Sequence, residues 1–150
     1  MAQSPANVLV HLIFSTKHRH PWIRPEVRSE LHRYVAGICR KQGCPALDVG
    51  GTEDHVHILF SLSRTVTISK LDEEVKTGSS KWIKSKGQEY ADFAWQGGYG
   101  AFSIGQSGVE AARRYIGRQE EHHRKVSFQD EFRAFLRKYG VAYDEGYVWD

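Results

Sequence analysis

Two histidines lie two positions apart in a run that is typical of a buried β-strand, and this run constrains the fold more than any other. It covers residues 54–60 and contains His55 and His57, with apolar residues between and after them. Because side chains alternate along a strand, both imidazoles project from one face, with their Cα atoms about 6–7 Å apart. Val56 and the apolar residues two and four positions later project from the other face. The two histidines are therefore close enough to bind one metal ion.

Length and composition predict one globular domain over residues 1–150. Of the 150 residues, 40% are hydrophobic, which is enough for a substantial core. No apolar run approaches the roughly 18 residues that a membrane helix needs, and the N-terminus lacks a signal pattern, so we expect a cytoplasmic protein with no membrane contact. Cys39 and Cys44 fit neither a disulfide framework nor a zinc site. The net charge of +3 permits an anionic partner without requiring one.

The pattern of apolar residues and turn signals predicts four strands and four helices. The strands are predicted at residues 8–15, 46–49, 55–62 and 99–104, and the helices at 26–41, 67–84, 107–125 and from 128 until Gly140. The order of the first six elements is strand, helix, strand, strand, helix, strand, which is the split βαβ order of ferredoxin-like α+β folds. In that fold the first and third strands lie at the centre of an antiparallel sheet, so the histidines occupy a central strand.

Two capping signals place the C-terminal helices. Ser107 with Glu110 matches a capping box and predicts that the third helix begins at Ser107. Ser127 with Asp130 repeats the signal and opens a shorter helix with an apolar stripe of three phenylalanines and a leucine.

The third predicted helix carries a possible nucleophile and a possible metal ligand. Tyr115 and Gln119 are one turn apart on one face of this helix. If the first two helices cover the sheet face of Val56, the face of the two histidines is left for the Tyr115 helix. The amide oxygen of Gln119 would leave an ion its full charge and several open positions, which favours magnesium or manganese over structural zinc. A phenol of pKa about 10 needs a polarised acceptor, such as a metal-bound phosphodiester.

Each of these residues also has a purely structural interpretation. His55 and His57 can satisfy hydrogen bonds on a half-buried sheet, and Tyr115 can be an ordinary core residue. His122 and His123 can extend the metal site, but a solvated helix end is the simpler interpretation for both. His11, on the adjacent central strand, can belong to the site or can equally be a filler residue.

Four stretches resemble the single-tyrosine HUH transposases of bacterial insertion sequences, including the relatives associated with repetitive extragenic palindromes (REP). The weaker matches are residues 15–19 (STKHR) after the first strand and residues 78–83 (GSSKWI). The specific match is His-x-His in residues 55–57, followed some sixty residues later by Tyr-x-x-x-Gln in the helical segment 115–123. The resemblance covers nearly the whole chain.

The resemblance implies a metal-dependent DNA strand transferase that acts on single-stranded DNA with hairpins near the ends of the element. By motif position, His55, His57 and Gln119 would hold Mg²⁺ or Mn²⁺. Tyr115 would attack the scissile phosphate, forming a 5′-phosphotyrosine link and freeing a 3′-hydroxyl that can later rejoin strands. Family members are homodimers in which the tyrosine helix of one subunit can complete the histidine site of the other.

A set of basic residues can neutralise the phosphates of such a substrate. These DNA-binding candidates are Lys17, Arg19, Lys81, Arg113, Arg114, Arg118 and Arg124. Trp82 or Trp95 can stack exposed bases, although Trp82 also fits the apolar stripe of its helix.

Two other functional classes remain open. A histidine-triad nucleotide hydrolase also uses His-x-His on a strand, but Leu59 stands where that family needs a third histidine. A domesticated module that binds hairpin DNA without cleaving it would use the same fold. The retained tyrosine, glutamine and both histidines argue against that alternative.

Overall fold

The computed structural model describes residues 2–150, and its strands form one four-stranded antiparallel sheet. The strands are β1 (Leu9–Ser15), β2 (Ala46–Gly51), β3 (His55–Ser61) and β4 (Gly100–Ile104), in the order β2-β3-β1-β4. The helices are α1 (Pro25–Lys41), α2 (Ile68–Lys84), α3 (Val109–Gly117), α4 (Gln119–His122) and α5 (Phe128–Lys138). The α+β class and the central position of β1 and β3 are confirmed.

The two faces of the sheet support separate apolar cores. Helices α1 and α2 cover one face, where Val56, Ile58 and Phe60 of β3 are fully buried beneath them. The opposite face carries His55 and His57, and we call it the histidine face. A smaller core of Ile13 and Phe102 from the sheet with apolar residues of α5 lies on that side. The alternation of β3 therefore directs Val56, Ile58 and Phe60 to one core, and the two histidines, together with Leu59, to the other side.

The third predicted helix is shorter than expected and broken. Ser107 lies in a 3₁₀ turn, and α3 begins only at Val109 without a side-chain cap, so the predicted capping box is wrong. The helix ends at Gly117, Arg118 leaves helical geometry at φ −108°, and α4 follows at Gln119. Glycine is a poor helix former, which favours a break at Gly117. The second predicted cap is confirmed, because the Ser127 hydroxyl accepts the Asp130 amide at 3.1 Å.

A glycine in β2 lets α3 lie against the sheet. A Cβ atom added to Gly50 would stand 2.6 Å from the carbonyl oxygen of Ile116 and 2.7 Å from its side chain. Ile116 is itself buried, at 1% exposure. This close approach fixes the end of α3 that carries Tyr115 over the histidine face.

Within residues 2–150, no helix combines the length and the apolar character needed to cross a membrane.

Candidate metal and nucleophile site

The two histidines of β3 direct their Nε2 atoms into one buried site on the histidine face. Both side chains are fully buried. Nε2 of His55 lies 2.9 Å from Oε1 of Gln119, and Nε2 of His57 lies 3.0 Å from Oε1 of Glu131. The two rings meet edge to face, with centroids 5.1 Å apart. Gln119 reaches the two histidines although the helix breaks between α3 and α4. It is the first residue of α4, and its side chain is buried.

A hydrogen-bond partner orients each imidazole from behind. Nδ1 of His55 donates to Oδ1 of Asp54 at 2.7 Å, and the Thr52 hydroxyl donates to the same oxygen at 3.1 Å. Burial opposes the charge of Asp54, but these hydrogen bonds hold the pKa of its carboxyl below the usual value. Nδ1 of His57 lies 2.8 Å from Nε2 of His11, so His11 is a partner and not only filler. When a metal binds at Nε2, such partners can hold the ring proton at Nδ1.

Burial keeps the inner imidazoles neutral. It lowers the pKa of His57 to about 4, although the Glu131 carboxylate opposes the shift. It lowers the pKa of His11 to about 3, and the neighbouring His57 adds to the effect. A neutral imidazole is the form that binds metals.

A carboxylate that sequence patterns did not assign lies at the centre of the site. Glu131, on α5, is 3% exposed. Its Oε1 faces imidazoles, at 3.0 Å from His57 and 3.2 Å from His123. Its Oε2 accepts hydrogen bonds from the Tyr115 hydroxyl and, at 3.1 Å, from the Gln119 amide. One carboxylate oxygen therefore contacts the imidazoles of His57 and His123, and the other accepts hydrogen bonds from Tyr115 and Gln119.

The pKa values follow from this crowding of groups around Glu131. Burial alone would raise the pKa of Glu131, but the neighbouring imidazoles of His123 and His57 lower it well below its usual value. Burial, then the Glu131 charge and its hydrogen bond, raise the pKa of Tyr115 far above that of a free phenol. Tyr115 thus keeps its proton in this state and donates a hydrogen bond to the Glu131 carboxylate.

His123 belongs to the site, contrary to the simpler interpretation of a solvated helix end. Its side chain is 9% exposed, and its ring lies 4.3 Å from that of His55. Burial works against its charge, yet the Glu131 carboxylate raises the pKa of His123. His55, His57, His123 and Glu131 offer four ligand atoms that lie within 4.8 Å of one another. This cluster can hold a metal ion. His122 lies at its edge, 3.4 Å from Oε2 of Glu131.

The sequence did contain a signal for Glu131. It falls between Phe128 and Phe132 on the apolar stripe of the helix predicted by the Ser127 cap, three positions after Phe128. A charged residue on a face that must be buried needs a partner or a metal.

The DNA-binding candidates lie mostly at the surface. Six of them are exposed, whereas Arg19 is half-buried. Arg19 follows His18 in a short turn where both residues have φ near +57°, a conformation that non-glycine residues rarely adopt. Trp95 is 9% exposed and donates to Ser79 in the α1–α2 core, so it is not available for base stacking.

Two solved structures have a similar fold. A candidate transposase from Deinococcus radiodurans R1 matches with a TM-score of 0.61 and 21% identity, over 79% of this chain and 98% of that one. A REP-associated tyrosine transposase bound to a REP hairpin matches with a TM-score of 0.60 and 13% identity, over 84% of this chain and 76% of that one. No curated protein matches the sequence significantly.

The family model described as "Transposase IS200 like" matches residues 4–119. The match includes β1, the two histidines, Tyr115 and Gln119, and it ends before His123 and Glu131. Because it covers well over half of the sequence, the chain belongs to the family of IS200-like transposases.

Proposed function

We propose that this transposase cleaves and rejoins single-stranded DNA through a covalent link to Tyr115, with the help of a divalent metal ion. One observation carries the proposal: the hydroxyl of Tyr115 and the predicted ligands His55, His57 and Gln119 all lie within 3.5 Å of a single buried carboxylate, that of Glu131. A chance arrangement of core residues would not converge in this way on a group whose burial is so costly.

The donor set fits a divalent metal ion. We propose that Nε2 of His55 and of His57 bind it together with the amide oxygen of Gln119, and that Glu131 and His123 complete the site. When bound, such an ion acts as a Lewis acid that polarises a phosphodiester. The oxygen donors suit Mg²⁺ or Mn²⁺, and the imidazoles favour Mn²⁺ of the two.

In the proposed cleavage step, the phenol oxygen of Tyr115 attacks the scissile phosphorus. The new O–P bond makes a 5′-phosphotyrosine, and the P–O3′ bond breaks to release a 3′-hydroxyl. The phenol proton leaves along the hydrogen bond to Oε2 of Glu131, and the departing 3′ oxygen takes a proton from solvent. Because one ester replaces another, a 3′-hydroxyl can reverse the step and rejoin strands without a nucleoside triphosphate.

We propose hairpin-bearing single-stranded DNA as the substrate. The similar REP-associated transposase was solved with a REP hairpin. The exposed Arg113 and Arg114 on α3, with Arg118 and Arg124 after it, lie within ten residues of Tyr115 along the chain and can neutralise phosphates near the site. Lys17, Arg19 and Lys81 remain candidates for the same role at other parts of the surface.

We also propose that the protein is a homodimer. The exchange of tyrosine helices implied by the resemblance is not needed to assemble the site, because the ring of Tyr115 lies 5.8 Å from that of His57 in the same chain. We therefore expect each copy to hold its own tyrosine and histidines before any exchange.

A covalent-trapping assay tests the cleavage proposal. Labelled single strands from the DNA flanking the gene are incubated with protein and Mg²⁺ or Mn²⁺, and the mixture is separated under denaturing conditions. We expect an adduct that needs the metal and disappears in Tyr115→Phe and His57→Ala. Tyr147→Phe is the control, because Tyr147 is 73% exposed and its hydroxyl forms no hydrogen bond with a residue of the site.

The assay also separates the second candidate function, a hairpin-binding module without cleavage. The hydrogen bond from Tyr115 to Glu131 and the raised pKa of the phenol favour it, since both keep the nucleophile protonated. Tight hairpin binding with no adduct under either metal would establish that alternative and overturn the cleavage proposal.

A further inference from the structure

A cavity of about 680 Å³ lies between α3 and α5, directly beside Tyr115. Three alanines leave room for it: Ala111 and Ala112 on α3, and Ala134 on α5. Its size is within the range of about 300–1,000 Å³ that is common for small-molecule sites. We call this cavity the alanine slot. It opens next to the group that would attack DNA.

Aromatic rings make up much of the wall of the alanine slot. Phe135 lies on α5 and Tyr139 directly follows that helix, and their rings are nearly parallel at 14°, with centroids 6.4 Å apart. The buried ring of His11 meets Phe135 edge to face, at 5.3 Å and 88°. Tyr115 lines the slot on one side, and the exposed Lys138 adds a cationic group. The wall is thus flat-sided and apolar, with a positive charge within reach.

We propose that the alanine slot binds the base of a nucleotide next to the phosphate that Tyr115 attacks. This inference rests on the proposed DNA cleavage, because it takes the Tyr115 hydroxyl as the position of that phosphate. A strand held there brings the flanking sugars and bases into the immediate neighbourhood of the slot. A base that leaves the stack of its neighbours exposes two apolar faces, and aromatic side chains cover such faces whatever the sequence.

The charges around the slot agree with a nucleotide as the occupant. Lys138 can neutralise a phosphate beside the bound base. The carboxylate of Asp130 at the rim is paired with Arg133 at 3.1 Å, which offsets part of its negative charge. The exposed hydroxyl of Ser103 offers a hydrogen bond to a base edge. A pocket that is mostly apolar, with a few polar groups at defined points, is typical of sites for flat organic ligands.

A fluorescent base tests the proposal without requiring cleavage. In Tyr115→Phe protein, 2-aminopurine replaces each base around the scissile position in turn, and its fluorescence is measured on binding. We expect strong quenching at one flanking position, because the base stacks on Phe135 or Tyr139. Filling the slot with Ala134→Leu should remove the quenching and weaken binding about tenfold, the order expected for one lost stacking contact.

Two further variants keep the test specific. Ala112→Leu fills the slot from α3 and should have the same effect as Ala134→Leu. Ala142→Leu adds the same bulk in the exposed C-terminal segment, outside the slot, and should leave quenching unchanged. Melting temperatures of all variants show that each is folded. An abasic residue at the quenched position should weaken binding to the slot-open protein but have little further effect in Ala134→Leu.

Several results would overturn the inference. It fails if no position is quenched, or if both slot-filling variants bind and quench normally. It also fails if they convert a dimer to a monomer, which would make the slot a contact between copies of the chain. Failure of the cleavage proposal is separate: quenching without any wild-type adduct would refute cleavage and retain the base site, whereas an adduct without quenching would do the reverse.

Discussion

At the scale of single residues, Glu131 is the group on which the site depends. It contacts the predicted nucleophile, the predicted amide ligand and four imidazoles within 3.5 Å, three of them at one oxygen and one at the other. Its charge is stable in the core only because of these partners. Glu131, which the sequence patterns did not identify, therefore connects the site residues that those patterns did identify.

We predict that Glu131→Gln weakens metal binding at least tenfold. The amide keeps the shape and one oxygen donor but removes the charge that attracts the ion, and losses of about 10–100-fold are usual even for residues that only support metal ligands. Titration calorimetry with Mn²⁺ measures the effect. Glu145→Gln is the control, because Glu145 is exposed and pairs with Arg133 away from the site. Unchanged Mn²⁺ affinity in Glu131→Gln would exclude Glu131 as a ligand.

His32, which is not among the proposed metal ligands, provides a test of pH dependence. Burial, with the nearby Arg28 charge, lowers its pKa to about 4, and its Nε2 is buried without a partner. Because the folded-state pKa lies below the unfolded value of about 6.5, His32 stabilises the fold fully above pH 6.5, and the stabilisation is lost as pH falls toward 4.

We predict that His32→Gln flattens this part of the pH profile. The wild-type free energy of unfolding should fall between pH 6.5 and 4.5, and the variant should lose about 1–2 kcal/mol less over that range. Urea denaturation at both pH values measures the difference. An equal loss of unfolding free energy in both proteins would mean that protonation of His32 does not cause the loss of stability at low pH.

At the scale of secondary-structure elements, the strands and the two long helices were predictable because their signals are local. The alternation of residues in β3 places His55 and His57 on one face of the sheet. The apolar stripe of α2, together with its N-cap Thr67, is enough to predict that helix. The break between α3 and α4 was not predictable from the capping box, since Gly108 and Gly117 shorten α3 at both ends. The position of α5 over the histidine face depends on packing between distant segments, which periodicity does not encode.

Gly50 and Gly37 form a matched pair for testing how α3 is positioned. We predict that Gly50→Ala costs about 1–3 kcal/mol, because its methyl group would collide with the Ile116 backbone, and such overpacking is rarely relieved. It should also reduce adduct formation by displacing Tyr115. Gly37, within α1, has open space where a methyl group would stand, so Gly37→Ala should gain about 0.5–1 kcal/mol. Thermal denaturation and the trapping assay measure both effects. Equal stability of the two variants would contradict the close packing of α3 on β2.

At the scale of the whole molecule, metal binding should be visible as added stability. The ligands come from β3, α4, the segment after α4 and α5, so an ion would tie together parts of the chain that are distant in sequence. An ion that binds only the folded state raises the melting temperature.

We predict that Mn²⁺ raises the melting temperature more than Mg²⁺ at equal concentration, because imidazole ligands suit manganese better. His57→Ala should abolish most of the shift. Differential scanning fluorimetry with and without a chelator measures it. Equal shifts in the wild type and in His57→Ala would place the ion elsewhere.

The proposed chemistry as a whole depends on Tyr115 becoming linked to DNA, and mass spectrometry of the trapped complex tests this most directly. The adduct is formed with Mn²⁺, denatured, digested with protease and nuclease, and the nucleotide-bearing peptide is sequenced. We expect a nucleotide attached through its 5′-phosphate to Tyr115 and to no other tyrosine. A link at another residue, or a cleaved strand with no linked peptide, would contradict the proposed mechanism.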